Sequence, residues 1–399
     1  MSGWKTGRMD LDAFRWLLTD DGQQLLAQAV EAPDDELKAQ AELRRAATGS
    51  TEERAAHVAA ALAQVTLRRR AATKLGDDAA RMYFTPDGLE QATRATVSAH
   101  RAARLRAASA ASVIDLGCGV GGDLVAFARA GITSAGIDVD PLRVEVARAN
   151  LAALGLPGAV SVADATTVDV SPFDAAYADP ARRTGRGRTF SVDDWTPPWA
   201  FVEKLLRRDA CVKAAPGIPH ARIPDGVEAE WVSDSGEVKE AALWSGRLAT
   251  TARRATVIGH GGLATLTDED DPGGEARDLG DFLYEPDGAV IRAGLVTAVA
   301  AGVNGGLVDD HIAYVTSDES FRTPFARGFR VLETLPYREK ALRAALRERN
   351  IGSLTIKKRG VDVVPDELRK RLSLAGDETG TIVLTRARGH GIALLVQPF

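Results

Sequence analysis

Cysteine is scarce: Cys118 and Cys211 are the only two in 399 residues. Two thiols cannot build a disulfide framework, so a reducing compartment is expected. Long apolar runs are missing as well, none approaching the ~20 residues of a membrane span. The opening MSGWKTGRMD has neither the apolar stretch nor the small-residue cleavage site of a signal peptide. The expectation is a cytoplasmic protein with no membrane partner. The six histidines (His57, His100, His220, His260, His311, His390) stand at no metal-ligand spacing and neither cysteine has a CxxC partner, so no metal site is expected. A large excess of one charge is also absent: 50 Lys+Arg face 55 Asp+Glu, for a net −5. What is present, 45% hydrophobic and 26% charged residues, excludes global disorder and collagen-like repeats. The length predicts two or three domains.

The near-neutral total hides a map. From Ala264 to Gly288 nine acids face one base, Arg277, whereas from Pro336 to Ser373 eleven bases face five acids. Function follows the local field rather than the sum. Only ten of the 50 bases are Lys, so a scattered Arg is common here and only clustered ones carry weight.

Residues 1–80 read as a helical region. Leu11, Phe14, Leu17 and Leu18, then Val58, Leu62, Val65 and Leu67, recur at helical spacing, with Asp34 and Ser50 at N-cap positions. A further helix is expected from Thr85-Pro86 to about Arg106. The texture then changes. Short apolar runs at Ser112–Leu116, Ser134–Asp138, Ala159–Val162, Asp174–Ala178 and Ala210–Ala214 alternate with helical stretches near 122–130, 141–154 and 199–208. That alternation specifies a parallel sheet covered by helices, here over residues 81–265. After Val227 two strands flank the turn Ser233-Asp234-Ser235-Gly236. The acidic, Gly-rich stretch opens a linker and connecting segment, 266–330. Val331–Thr334, Leu354–Lys357 and Thr381–Thr385 read as strands, and Arg338–Arg349 and Pro365–Leu372 as helices, making a small α+β domain over 331–399.

The chemistry concentrates in the sheet. Val113-Ile114-Asp115-Leu116-Gly117-Cys118-Gly119-Val120-Gly121-Gly122-Asp123 is a strand entering a Gly-rich turn that opens a helix. Glycines there let backbone approach a ligand where a Cβ would collide. Asp138 ends the second strand, placed to accept two ribose hydroxyls. Asp164 follows the third, placed to meet an adenine edge.

DLGCGVGGD, GIDVD and VADA resemble motifs I, II and III of class I S-adenosylmethionine-dependent methyltransferases. The resemblance covers about residues 80–260. It implies a Rossmann-like α/β sheet with S-adenosyl-L-methionine as cofactor. Asp115, Gly117, Gly119 and Gly121 would face the methionine and sulfonium end, Asp138 the ribose, and Asp164 with Ala165 the adenine. The other readings of the turn are a redox Rossmann domain and a ligand-free sheet.

At the carboxyl end of the fourth strand stand Asp179-Pro180-Ala181-Arg182-Arg183. This resembles motif IV of amino-group methyltransferases of nucleic acids, which implies Asp179 and Pro180 as the catalytic pair aligning a target nitrogen. Arg182 occupies the slot of the stacking aromatic. With Arg183 it can stack on a base or hold a phosphate, or simply pair with acids. The same stretch is similar to 5-methyluridine RNA methyltransferases, whose chemistry needs a cysteine nucleophile after the fifth strand. Cys211 falls at the start of that strand and Cys118 inside the turn, so covalent pyrimidine methylation is disfavoured. Lys213, Glu230 and Glu240 either shape a substrate pocket or are hairpin-face charges.

The carboxyl-terminal pattern, including Lys357-Lys358-Arg359-Gly360 and Arg369-Lys370-Arg371, resembles the THUMP-like domain that follows the methyltransferase domain in a bacterial family. The likeness covers roughly 280–399, and THUMP domains proper bind RNA, chiefly tRNA. Three cations at a strand end and three at a helix end suit a phosphate-tracking surface, or a solvated face complementing a helix C-terminus. The expected activity is methylation of a base nitrogen in tRNA or rRNA. The alternatives are methylation of a small molecule or protein, and a noncatalytic RNA-binding protein.

Overall fold

The computed structural model describes residues 10–33, 35–182 and 195–399. The chain forms two compact units. The first is Met1–Ala214 with Pro224–Val227 and Leu243–Ala249; the second is Ala215–Ile223, Glu228–Ala242 and Thr250–Phe399.

The first unit opens with α1 (Leu11–Leu17), α2 (Asp20–Glu31), α3 (Glu36–Ala46) and α4 (Thr51–Leu75). Ser50 caps α4 through a reciprocal capping box with Glu53. Asp34 lies outside the described residues; Asp35 caps α3, its carboxylate accepting from the Lys38 N–H at 3.1 Å. Phe14, Leu17, Val58, Leu62 and Leu67 are buried as their spacing requires, while Leu18 is exposed.

The single helix expected from Thr85 to Arg106 is two: α5 (Pro86–Gln91), capped by Thr85, and α6 (Ala95–Ala107). The break has a side-chain cause. Lys74 Nζ donates to the carbonyls of Leu89 and Glu90 at 2.9 and 2.7 Å, satisfying the orphan acceptors at the end of α5. Buried Gln64 of α4 then pairs both ways with the backbone of Phe84.

The parallel sheet follows: β1 (Ser112–Leu116), α7 (Gly122–Arg129), β2 (Thr133–Asp138), α8 (Pro141–Ala153), β3 (Ala159–Val162), β4 (Ala175–Ala178), the short strands β5 (Ala181–Arg182) and β6 (Trp195–Thr196), α9 (Trp199–Leu205) and β7 (Ala210–Ala214). The order β3-β2-β1-β4-β7 is parallel throughout. It reverses direction between β1 and β4, so the carboxyl ends of those two strands flank the crevice where open α/β sheets bind ligands. Fully buried Asn150 of α8 donates to the carbonyls of Val120 and Tyr83 at 2.8 and 3.0 Å, tying the Gly-rich turn to the segment before α5.

β8 (Glu228–Asp234) and β9 (Glu237–Ser245), which lie in the second unit up to Ala242, meet at Ser235-Gly236, whose φ angles of 57° and 81° are those of a tight hairpin turn. β10 (Arg253–Gly259) pairs parallel with β8, and β11 (Gly262–Thr267) antiparallel with β10. Then come β12 (Phe282–Pro286), α10 (Gly288–Ala293), α11 (Val296–Gly302), β13 (Gly306–Asp309), β14 (Ile312–Ser317), β15 (Ala326–Leu335), α12 (Glu339–Glu348), β16 (Ile351–Lys358), α13 (Pro365–Leu372), β17 (Glu378–Ala387) and β18 (His390–Pro398). The last seven strands form one sheet, ordered β13-β14-β12-β15-β18-β17-β16. Leu342 and Leu346 of α12 and Leu368 and Leu372 of α13 share a core with Leu354 and Leu384.

The stretch 266–330, expected as linker and connecting segment, thus holds β12, β13, β14 and the start of β15, all bonded into that sheet. Leu283 and Tyr284 are fully buried between the acids that dominate the charge count.

Candidate active site

Beyond Asp115 the chain turns through Gly117, Gly119 and Gly121 at φ of +100°, +54° and +81°. The last two glycines serve different ends. A Cβ on Gly121 would stand 3.1 Å from Ala147 Cβ, so this position lets α7 and α8 approach. A Cβ on Gly119 would meet nothing within 4 Å and would project into open space. That open side of the turn, a cradle, leaves room for a ligand to approach the backbone.

Acidic groups stand within two residues of the carboxyl ends of β1, β2 and β3. Asp138 is 6% exposed; its carboxylate accepts from the N–H of Gly119 at 3.1 Å and of Asp140 at 2.9 Å, with Arg143 at 3.9 Å. The Asp138 carbonyl accepts from the Ala163 N–H at 3.1 Å, bringing the third motif alongside the second. Asp164 is exposed, and the N–H and hydroxyl of Thr166 hold its carboxyl below the usual carboxylate range. Ala165 beside it is half-buried.

Asp115 is 1% exposed and its Oδ1 has no hydrogen-bond partner among the described residues. Burial first, then the carboxylates of Asp123 and Asp179, push it well above the usual range. A buried acceptor left unmatched costs about 1–3 kcal/mol, and a cationic donor arriving in the cradle would remove that cost. The fit to an amino-acid nucleoside is good: an acceptor for an ammonium, an open glycine turn, and an aspartate at the end of β2.

Sequence reasoning missed the support beneath. Arg101 of α6, 1% exposed, forms an ion pair with Asp123 and lies 4.4 Å over the Tyr177 ring. The Tyr177 hydroxyl donates to Asp123 at 3.4 Å. The only linear signal was an acid directly after the glycine run; its partner is 22 residues upstream on another helix.

At the end of β4, Asp179 is half-buried and Pro180 buried. Lys213 of β7 donates to Asp179 Oδ2 at 2.6 Å and to Thr93 Oγ1 at 3.3 Å. Oδ1 of Asp179 has no partner among the described residues. The structure thus brings Lys213 to the carboxylate expected to be catalytic. Arg183 and the Arg182 side chain lie outside the described residues. Cys211 is fully buried, and burial beside Asp115 and Asp138 pushes the Cys118 thiol up, away from nucleophilic use.

Within the second unit, Glu230 and Glu240 are buried, with Glu230 accepting from the Thr256 hydroxyl at 2.5 Å. The basic clusters are partly neutralised. Lys357 pairs with Glu285 at 2.5 Å, Arg359 lies 5.3 Å over the Tyr314 ring, Arg369 pairs with Asp366 and Arg371 with Glu339. Lys358 and Lys370 are exposed. Among the described residues no cluster of His, Cys, Asp and Glu could hold a metal ion, and no helix is long and apolar enough to cross a membrane.

Comparison with known proteins adds an independent line. A methyltransferase domain model matches residues 113–182, a THUMP domain-like model 326–398, and a domain of unknown function 10–71. The chain is 38% identical over 331 residues to an uncharacterized S-adenosylmethionine-dependent methyltransferase of Mycobacterium tuberculosis, in strains CDC 1551 and H37Rv, covering 80% of this chain and 90% of the relative. The crystal structure of a candidate methyltransferase from Porphyromonas gingivalis W83 matches with a TM-score of 0.73 at 23% identity, over 97% of this chain and 98% of that one; this shows the shared fold.

Proposed function

Since the chain belongs to the S-adenosylmethionine-dependent methyltransferases, we propose that it methylates a base nitrogen of tRNA or rRNA by direct displacement. The observation that carries this is the half-occupied carboxylate of Asp179, held by Lys213 at the carboxyl end of β4. The THUMP domain-like match over 326–398 supports an RNA substrate.

S-adenosylmethionine supplies an electrophilic methyl group when bound. Asp115 would take its ammonium, Gly117 and Gly119 would line its methionine end, Asp138 would take the ribose hydroxyls, and Asp164 with Ala165 would meet the adenine. On the substrate side Lys213 fixes Asp179 through Oδ2, leaving Oδ1 to accept an N–H of the target base. That hydrogen bond turns the nitrogen lone pair toward the methyl carbon. As the new N–C bond forms, Asp179 takes the nitrogen's proton. Alignment of this kind is worth several orders of magnitude without covalent catalysis. Pro180 stiffens the backbone behind the carboxylate. Arg182 and Arg183 would contact base or phosphate.

The test is transfer of labelled methyl from S-adenosylmethionine to total tRNA and rRNA by the purified chain. Asp179→Ala should keep RNA affinity and lose about 10²–10⁴-fold in rate, the range for a positioned proton acceptor. A second reading, transfer to a small molecule or protein, draws on the ion pairs that absorb Lys357, Arg369 and Arg371. It would be favoured if RNA accepted no label while S-adenosylmethionine still bound.

A further inference from the structure

Pro216, two residues past the end of β7, organises a cleft that the reaction above leaves unused. Its carbonyl accepts from Trp231 Nε1 at 3.0 Å and from Arg292 Nη1 at 3.1 Å. The Arg292 carbonyl lies 2.7 Å from His220 Nε2. A carbonyl can only accept, so His220 carries its proton on Nε2. The His220 ring stacks on Trp231 with centroids 4.9 Å apart and 20° between planes. Trp231 is 1% exposed, whereas His220 and Arg292 are exposed. Ile218, Gly288 and Ile291 complete the lining of a cleft of about 510 Å³, all within the second unit. That volume is in the ~300–1,000 Å³ range of small-ligand sites.

Two chemical features of the cleft converge. The His220 ring is backed by a buried indole and is itself exposed, so a base can stack on it from the solvent side. Arg292 is anchored through Nη1, which leaves its side-on edge, Nε–H and Nη2–H, without partners among the described residues. Two parallel donors beside an aromatic face match a base carrying two adjacent acceptors, as guanine does at O6 and N7. Single-stranded RNA offers such edges where bases are splayed out of a helix.

We infer that this cleft binds an unstacked guanine of the RNA substrate, stacked on His220 and read by the side-on edge of Arg292. The inference rests on the RNA reading above. It gives the second unit a base-specific contact distinct from the basic strand end at Lys357–Arg359.

The experiment uses the full chain and fluorescein-labelled bulk tRNA, with affinity measured by anisotropy across a salt series. His220→Ala should weaken binding about 5- to 150-fold, the range for one base on one aromatic ring, while His220→Phe keeps the wild-type affinity. Both variants lose the hydrogen bond to the Arg292 carbonyl, so both should melt slightly below the wild type and remain folded at the assay temperature. Arg292→Ala should weaken binding without changing the salt slope, because a base-edge contact releases no counterion. Wild-type affinity in His220→Ala, or failure of His220→Phe to rescue, overturns the platform while leaving the RNA reading standing. A salt slope lowered by about 1 in Arg292→Ala overturns the guanine contact in favour of a phosphate. Absence of tRNA binding by the wild type overturns the RNA reading and the cleft with it.

Discussion

Alanine at Gly119 and at Gly121 should separate ligand binding from stability, two residues apart. Both glycines have positive φ, and a side chain in the left-handed region costs about 1–2 kcal/mol. At Gly119 that is the whole cost, since the added Cβ meets nothing within 4 Å. At Gly121 the Cβ would also press on Ala147 Cβ at 3.1 Å and Ala147 Cα at 3.3 Å. The Cα belongs to the α8 backbone and cannot rotate away, so overpacking of about 1–3 kcal/mol is added. The expected losses are therefore roughly 1–2 kcal/mol for Gly119→Ala and about 2–5 kcal/mol for Gly121→Ala, from a total near 5–15 kcal/mol. The assay is thermal melting with and without S-adenosylmethionine. At ~100 Kd the ligand should stabilise the wild type by about 2.7 kcal/mol. Gly119→Ala should lose most of that stabilisation while its ligand-free melting temperature falls little; Gly121→Ala should show the reverse. A full ligand shift in Gly119→Ala would refute the placement of the cofactor against this turn. Equal ligand-free melting temperatures in the two variants would refute the packing argument.

Asp115→Asn should abolish the ligand-induced melting shift yet leave the ligand-free protein no less stable. An aspartate raised in the folded state costs stability as pH climbs from about 3.9 toward its folded value, and melting curves against pH should show that loss in the wild type and not in the variant. In the N-terminal helices, Trp16 stacks on His57 with centroids 3.5 Å apart, and burial holds the imidazole below its usual value. The unfolded chain therefore takes the proton first. Stability contributed there is intact above about pH 6.5 and lost as pH falls below it, a dependence that His57→Phe should remove from far-ultraviolet melts. In the basic strand end, Lys358→Ala should lower the salt slope of tRNA binding by about 1. Lys357→Ala should instead lower the melting temperature, because Lys357 holds Glu285.

Much of this fold was legible because the parallel sheet has a strong linear signature. β1, β3 and β7 coincide with their expected residues, and β2 and β4 differ by one. Each is a short apolar run ended by a polar turn, and β1, β4 and β7 are buried on both faces, which leaves no alternating pattern to compete. The break between α5 and α6 was not legible, because its cause is Lys74, more than ten residues upstream. β12 was hidden for a different reason: Asp281, Glu285 and Asp287 flank Phe282-Leu283-Tyr284, and a charge count cannot see which side chains turn inward. β18 was missed although Ile392–Val396 is an apolar run of the same kind as the others; it lies between β15 and β17.

The site divides in the same way. Asp115, the glycines, Asp138 and Asp179 were readable because each sits at a fixed offset from a strand end. The Lys213–Asp179 bond depends on two strands becoming neighbours, and the Arg101–Asp123–Tyr177 cluster on three separate elements converging. The net charge of the basic segment was countable, but not which acids take up its bases: Asp366 and Glu339, inside the segment, hold Arg369 and Arg371, and Glu285, far outside it, holds Lys357.

The central proposal is methyl transfer to RNA with Asp179 at the reacting centre, and the most direct measurement is nucleoside mass spectrometry. Total RNA is compared between a parent strain, a strain lacking this protein, and that strain carrying either the wild type or Asp179→Ala. The account predicts that one methylated nucleoside disappears in the deletion, returns with the wild type, and stays absent with Asp179→Ala. Identical nucleoside profiles in all four strains would contradict it.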